Sequence, residues 1–81
     1  MNIRVQFFAQ LRDAIGTSEL DVKLKEGASV NDLLAALYEQ MPSLQKWGKT
    51  ILVGAGVEFV GRDHLLQPNE EISIMPPVQG G

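Results

Sequence analysis

The C-terminal end of this chain carries the residues best suited to chemistry. Its last six residues read Pro76-Pro77-Val78-Gln79-Gly80-Gly81. The carboxylate of Gly81 is a poor electrophile, but adenylation with ATP would convert it into a mixed anhydride that a sulfur or amine nucleophile can attack. Because glycine has no Cβ, the two terminal glycines would let this carboxylate enter a narrow channel in a partner. The tail therefore predicts a carrier or modifier whose working group is its own C-terminus.

Two prolines would set the direction in which that tail leaves the domain. Pro76 and Pro77 follow the last predicted strand, and proline both ends ladder pairing and favours the stiff polyproline II geometry. Six extended residues span at most about 20 Å. We therefore predict a domain over residues 1–75 and a flexible tail over residues 76–81 that projects from it. The alternative is a tail that is only a disordered chain end.

The other polar residues favour structural roles. The chain has one histidine and no cysteine, which excludes disulfides, thiolate chemistry and Cys-ligated metal sites, and no metal site is predicted. His64 is predicted to make a turn-stabilising hydrogen bond. The Gly54-Ala55-Gly56 segment lacks the Lys-Ser/Thr that follows a phosphate loop. Glu70 and Glu71 are interpreted as a solvated turn rather than an acid–base pair.

Composition predicts one domain of an ordinary soluble class. The chain has 81 residues and a net charge of −3, with 7 basic and 10 acidic side chains. The basic residues are scattered, so no nucleic-acid partner is predicted. No apolar run approaches the length of a membrane span, and the N-terminus does not resemble a signal peptide, so we expect no membrane partner and a cytoplasmic location.

Periodicity predicts the elements of the first half. Alternating apolar residues indicate strands over 2–8 and 19–25, separated by a short helix over 9–15 that Gly16 ends. The main helix is predicted over 29–41 from an apolar stripe at helical spacing. The stripe consists of Val30, Leu33, Leu34, Leu37, Tyr38 and Met41.

The ends of the main helix are also predictable. Ser29 is a good N-cap, and Asp32 completes a capping box. Pro42 ends the helix because the residue before a proline avoids the α region.

The second half predicts short strands and turns. Strands are expected over 51–53 and 57–60 around the Gly54-Ala55-Gly56 segment, with a last strand over 71–75 whose Ile72 and Ile74 point inward. Either Leu65 or Leu66 should point into the core. A single long helix must cover one face of the sheet. We therefore predict an α+β, β-grasp (ubiquitin-like) fold, with a mixed sheet of four to five strands and its first and last strands parallel neighbours.

Three apolar residues are predicted to lie on the sheet face away from the core. Phe8 and Met75 point away from the inward sets of their strands, and Phe59 can join them. Such a cluster on the open sheet face is a candidate docking patch, although scattered surface apolar residues are normal. Arg12 is interpreted as either a partner contact or a solvated helix charge.

These motifs resemble the small subunit of molybdopterin synthase, a ubiquitin-like sulfur carrier family. The similarity covers the chain, and its marks are the Phe7-to-Arg12 segment with Gly16-Thr17, Asp63-His64, and the Pro-Pro-Val-Gln-Gly-Gly tail. It implies that an E1-like enzyme adenylates Gly81 and that a sulfur donor makes a thiocarboxylate. Tail residues Pro76, Pro77, Val78, Gln79 and Gly80 would then insert into the large synthase subunit.

The resemblance also implies an assembly and a division of labour. Two sulfur transfers would build the dithiolene of molybdopterin within a heterotetramer, with the catalytic side chains on the large subunit. This chain would bind no cofactor, and ATP would serve the activating enzyme. The same tail chemistry also fits a sulfur carrier for thiamine, tRNA thiolation or cysteine synthesis. A different class, a ubiquitin-like modifier or interaction module, stays open.

Overall fold

Five strands form one mixed sheet in the computed structural model, which describes residues 1–77 apart from the side chain of Lys49. The strands are β1 (Asn2–Phe7), β2 (Glu19–Lys23), β3 (Leu52–Ala55), β4 (Glu58–Phe59) and β5 (Glu71–Met75). Their order across the sheet is β2-β1-β5-β3-β4. β1 and β5 run parallel at the centre, and the other neighbours are antiparallel. The predicted α+β, β-grasp fold is confirmed.

The main helix, α2 (Val30–Gln40), has both predicted ends. Ser29 accepts a hydrogen bond from the Asp32 backbone N–H at 3.2 Å, and the Asp32 carboxylate accepts one from the Ser29 N–H at 2.9 Å. This reciprocal pair satisfies two backbone donors that the first turn of a helix leaves free. Pro42 starts a 3₁₀ turn over Pro42–Lys46, and a second 3₁₀ turn spans Gly48–Thr50.

The core lies between α2 and one face of the sheet. The inward sets of β1 and β5 are fully buried, and Leu66 rather than Leu65 joins them. Trp47 is partly buried against this core. The buried apolar side chains are Ile3, Val5, Phe7, Leu11, Val22, Ala28, Val30, Leu33, Leu34, Leu37, Leu44, Ile51, Val53, Leu66, Ile72 and Ile74. The inward residues of β1 and β5 were therefore predicted correctly.

Every predicted strand except the last differs from the structure at one or both ends. β1 ends at Phe7 rather than at residue 8, β3 begins at Leu52 rather than at residue 51, and β4 covers only Glu58–Phe59 of the predicted 57–60. β2 ends at Lys23, two residues earlier than expected. Gly54 and Ala55 belong to β3 rather than to the turn, because Gly54 pairs with both Phe59 of β4 and Ser73 of β5. Only Gly56 and Val57 remain for the turn of the β3–β4 hairpin.

A polar contact joins two turns between β4 and β5. The His64 Nε2 atom lies 3.2 Å from the Glu70 Oε2 atom, and Glu70 Oε1 accepts a hydrogen bond from the Gln67 N–H at 2.8 Å. The predicted structural hydrogen bond of His64 is confirmed. The interpretation of Glu70 as merely solvated was wrong, since its carboxylate links the two turns.

Helix α1 (Ala9–Ile15) connects β1 to β2 through an unusual backbone angle. Gly16 ends the helix at a φ of 87°, as predicted. Ala9, its first residue, has a φ of 53°. Side chains rarely adopt this left-handed region, which costs roughly 1–2 kcal/mol for a residue with a Cβ. The abrupt change from strand to helix therefore stores strain directly after Phe8.

We expect Ala9→Gly to raise the free energy of unfolding by up to about 1 kcal/mol, because glycine has no Cβ and adopts a left-handed backbone conformation without steric strain. The control is Gln10→Gly at the next position of the same helix, which should lower it by about 0.5 kcal/mol. Urea denaturation of both variants provides the measurement. Equal losses for the two variants would show that Ala9 is not strained.

Candidate functional site

The open face of the sheet, turned away from α2, contains an apolar region. Side chains along a strand alternate between its two faces, so residues next to a buried one point to the open face. Ser73 and Met75 flank the buried Ile74 in β5, and Phe8 follows the buried Phe7 at the end of β1. The Phe8 N–H donates a hydrogen bond to the Ile74 carbonyl at 3.2 Å, which fixes the end of β1 beside β5. Gly54 and Phe59 lie directly opposite each other on β3 and β4.

These residues surround one shallow groove of about 330 Å³. We call it the apolar groove. Its lining consists of Phe8, Gly54, Gly56, Val57, Glu58, Phe59, Ser73 and Met75. The structure thus brings together Phe8, Phe59 and Met75, which lie far apart in the sequence and were proposed as one patch. Their role in docking stays a prediction.

The groove exists because small residues lie between large ones. Gly54 and Ser73 are cross-strand partners, and they lie beside Phe59 and Met75 respectively. A Cβ on Gly54 would lie 3.4 Å from the Met75 Cε atom. The missing side chain therefore gives Met75 room above β3 and leaves the centre of this surface low. An apolar side chain of a partner fits such a depression.

Arg12 lies beside the groove rather than in it. Its side chain is exposed on α1 and borders a separate depression, whose lining includes Phe8, Ser18 and Glu19. Glu58 is the charged residue that lines the groove itself. A partner that covers Phe8 could therefore reach Arg12 only at the edge of its contact.

The far half of the open face is polar. Asn2, Arg4, Asp21, Asn69 and Glu71 line a depression there. The Arg4 Nε atom lies 3.5 Å from Asp21 Oδ1, and both side chains are largely exposed, so this ion pair contributes little stability. The apolar side chains of the open face therefore form a band that runs from Phe8 and Met75, where β1 and β5 finish, to the β3–β4 hairpin.

The tail begins at the Met75 end of the apolar groove. β5 stops at Met75, a wall of the groove, and the pairing ends before Pro76 as predicted. Pro76 and Pro77 are partly buried. The remaining site residues predicted from the sequence, Val78 to Gly81, lie outside the described residues, and the domain boundary at residue 75 stays a prediction. The groove therefore lies at the root of the segment that carries the terminal carboxylate.

Two classes of site are not seen in the described part of the chain. Among residues 1–77, no group of three or more His, Asp or Glu side chains is arranged to hold a metal ion. None of the helices described there is long and apolar enough to cross a membrane. The apolar groove is thus the site that the geometry supports best.

Comparison with known proteins identifies the family. The model of the ThiS family matches residues 5–81, nearly the whole chain. The chain belongs to the ThiS family. The match includes the residues that line the apolar groove, together with Gly80 and Gly81.

Similar proteins are named as sulfur carriers or as modifiers. The molybdopterin synthase sulfur carrier subunit of Chlamydomonas reinhardtii is 34% identical, with 100% of both chains covered. The protein of the same name in Escherichia coli K12 is 31% identical, over 98% of this chain and 99% of that protein. SAMP1 of Haloferax volcanii, a small archaeal modifier protein, superposes with a TM-score of 0.88 at 26% identity over 100% of both chains.

Sequence reasoning missed part of the groove in this ThiS-family protein. Val57, Glu58, Gly54 and Ser73 line it but were not among the predicted docking residues. Ser73 could have been found, because it has the same parity as Met75. Val57 could not, since its position depends on where the hairpin turn falls.

Proposed function

We propose that this chain is the sulfur carrier of a molybdopterin synthase, with the Gly81 carboxylate as its working group. The observation that carries the proposal is the apolar groove at the root of a tail that ends in Gly80-Gly81. Two relatives named as molybdopterin synthase sulfur carrier subunits, each about as long as this chain, support it. The β-grasp domain then provides the contacts with partner proteins, and the tail delivers the sulfur.

The proposed chemistry takes place in two steps at one carbon. An E1-like enzyme joins the Gly81 carboxylate to the α-phosphate of ATP, and pyrophosphate leaves. A sulfide-equivalent donor then attacks the acyl carbon, the bond to the phosphate oxygen breaks, and AMP leaves. One terminal oxygen has been replaced by sulfur. This chain itself binds no cofactor in the proposal, and ATP is consumed by the activating enzyme.

The tail then donates sulfur in the large synthase subunit. Pro76 and Pro77 set its direction, Val78, Gln79 and Gly80 pass through the channel, and Gly81 presents the thiocarboxylate to the pterin precursor. Phe8, Phe59 and Met75 provide the docking contact, with Arg12 at its edge. As the family resemblance implies, we propose a heterotetramer of two large and two small subunits. We place the cycle in the cytoplasm, where ATP is supplied.

The test is direct. The full-length protein is incubated with ATP, an E1-like activating enzyme and a sulfide-equivalent donor, and its intact mass is measured. We expect a mass gain equal to the difference between one sulfur atom and one oxygen atom, located at Gly81 and absent when ATP is omitted. A terminus that never gains sulfur would contradict the carrier role. If sulfur is gained but adding the large subunit and pterin precursor yields no molybdopterin, the carrier serves thiamine, tRNA thiolation or cysteine synthesis instead.

One observation favours a second candidate. The small archaeal modifier protein of Haloferax volcanii has the same fold over its full length, and an acyl adenylate reacts with an amine as well as with sulfur. In that case Gly81 would form an isopeptide bond with a lysine. Intact mass also decides this alternative, because covalent adducts with target proteins would accumulate in place of the thiocarboxylate.

A further inference from the structure

A valine at the tip of the β3–β4 hairpin has no structural explanation. The Val57 side chain is fully exposed, at 103% of its reference area. Gly56, the first residue of this two-residue turn, has a φ of 63°, as such a turn requires. The second position usually holds a polar turn former such as Asn or Ser, whereas valine favours strands. The described part of the chain does not cover Val57.

The position of this valine links it to the apolar groove. Four large apolar side chains of residues 1–77 are strongly exposed: Phe8, Val57, Phe59 and Leu65. Three of them line the groove, and Leu65 does not. A raised apolar tip therefore stands beside a low floor formed by Gly54 and Ser73. A partner surface that fits both must carry a projection for the groove and a socket for Val57.

The tail and the groove together indicate which partner covers this surface. Four residues, 78–81, follow the last described residue, and they span at most about 14 Å. A protein that reacts with Gly81 must therefore come within about this distance of Pro77. Pro77 is two residues beyond Met75, a wall of the groove. The β3–β4 hairpin lies at the other end of the same groove, because Ala55 pairs with Ile72 near the start of β5. A partner that receives the tail and also fills the groove therefore reaches Val57.

We propose that Val57 is an apolar peg that enters a socket on the protein that receives the tail. Under the proposed function, on which this inference rests for the identity of the partner, that protein is the large synthase subunit. Burial of a previously exposed valine stabilises a complex, and this offsets the poor turn propensity of the residue. The peg also discriminates among partners, because a partner without the socket would meet the protruding tip.

The decisive variant is Val57→Asn in the full-length chain, with Leu65→Asn as the matched control. Full burial of a valine corresponds to roughly tenfold or more in Kd, so V57N should weaken binding to the large subunit by at least about tenfold. Its midpoint of thermal unfolding should stay equal or rise, since Asn is the better turn residue. L65N, at a side chain that is 59% exposed outside the groove, should leave Kd unchanged. Calorimetric titration gives Kd, and circular dichroism gives the thermal midpoint.

A second variant separates the peg from the stability of the hairpin. Val57→Thr keeps the branched shape and replaces one methyl by a hydroxyl, so it should also weaken binding while the thermal midpoint stays the same. Kd values equal to that of the wild type for V57N and V57T would overturn the peg and leave the proposed function intact. Failure of the wild-type chain to bind the large subunit would overturn the proposed function, and this proposal with it.

Discussion

Deletion of Gly81 should abolish sulfur transfer and leave the midpoint of thermal unfolding nearly unchanged. The proposed chemistry depends on one carboxylate at one distance from the docking groove, and the deletion moves that carboxylate back by about 3.5 Å. The buried side chains of the described residues all lie between Ile3 and Ile74, so the deletion removes none of them. The measurements are the thiocarboxylate yield by intact mass and the thermal midpoint by circular dichroism.

Gly81→Ala is the matched control for the deletion. It keeps the length of the chain and the terminal carboxylate and adds only a Cβ. We expect slower conversion rather than none, because the added methyl group must pass a channel suited to glycine. A large loss of thermal stability in the deletion variant would mean that the tail is part of the packed structure, contrary to the proposed role. Full activity without Gly81 would contradict the carrier chemistry itself.

Phe7→Ala should cost about 3–5 kcal/mol of folding stability, as large-to-small changes of buried aromatic residues do. The Phe7 side chain is 2% exposed, and Phe7 of β1 is the register partner of Ile74 in the neighbouring strand β5. Since small domains have only about 5–15 kcal/mol of stability in total, the variant should be largely unfolded or close to it at 37 °C. Urea denaturation at 25 °C measures the loss. A loss below about 1 kcal/mol would mean that Phe7 is not a core residue.

The chain offers its own control at the next position. Phe8 has the same side chain but lies on the other face and is 42% exposed. Phe8→Ala should change stability by less than about 0.5 kcal/mol, as typical surface substitutions do. Its affinity for the large synthase subunit should fall about tenfold, in the range of aromatic residues at the centre of interfaces. If Phe8→Ala binds as tightly as the wild type, the apolar groove is not the docking surface.

This pair also shows how far periodicity can be taken. Alternation along residues 2–8 predicted which phenylalanine is buried, because successive side chains of a strand point to opposite faces. The apolar stripe, the capping box and Pro42 predicted α2 for a similar reason, since each is a local pattern with a local cause. Such features need no knowledge of where the rest of the chain lies.

Predictions that depended on neighbouring strands were less complete. Gly54 was expected in a turn, because glycine between short apolar runs usually marks one. Pairing with strands on both sides holds it in β3 instead. The alternatives Leu65 and Leu66 could not be separated, since the segment between β4 and β5 lacks a regular period. Its backbone is fixed by hydrogen bonds to the start of α2 and the residues before it, including the one from the Leu66 N–H to the Ala28 carbonyl.

The sequence by itself led to the proposed working group, a glycine carboxylate behind two prolines, and determined a β-grasp domain whose helix and inward faces follow from periodicity. Only the tertiary structure decided the shape of the surface beside the tail. The apolar groove draws residues from three strands, a turn and the residue that follows β1, and its floor depends on Gly54 lying opposite Ser73 and Phe59. Cross-strand register sets those neighbours, and register is a property of the whole sheet, so no single segment of the sequence contains it.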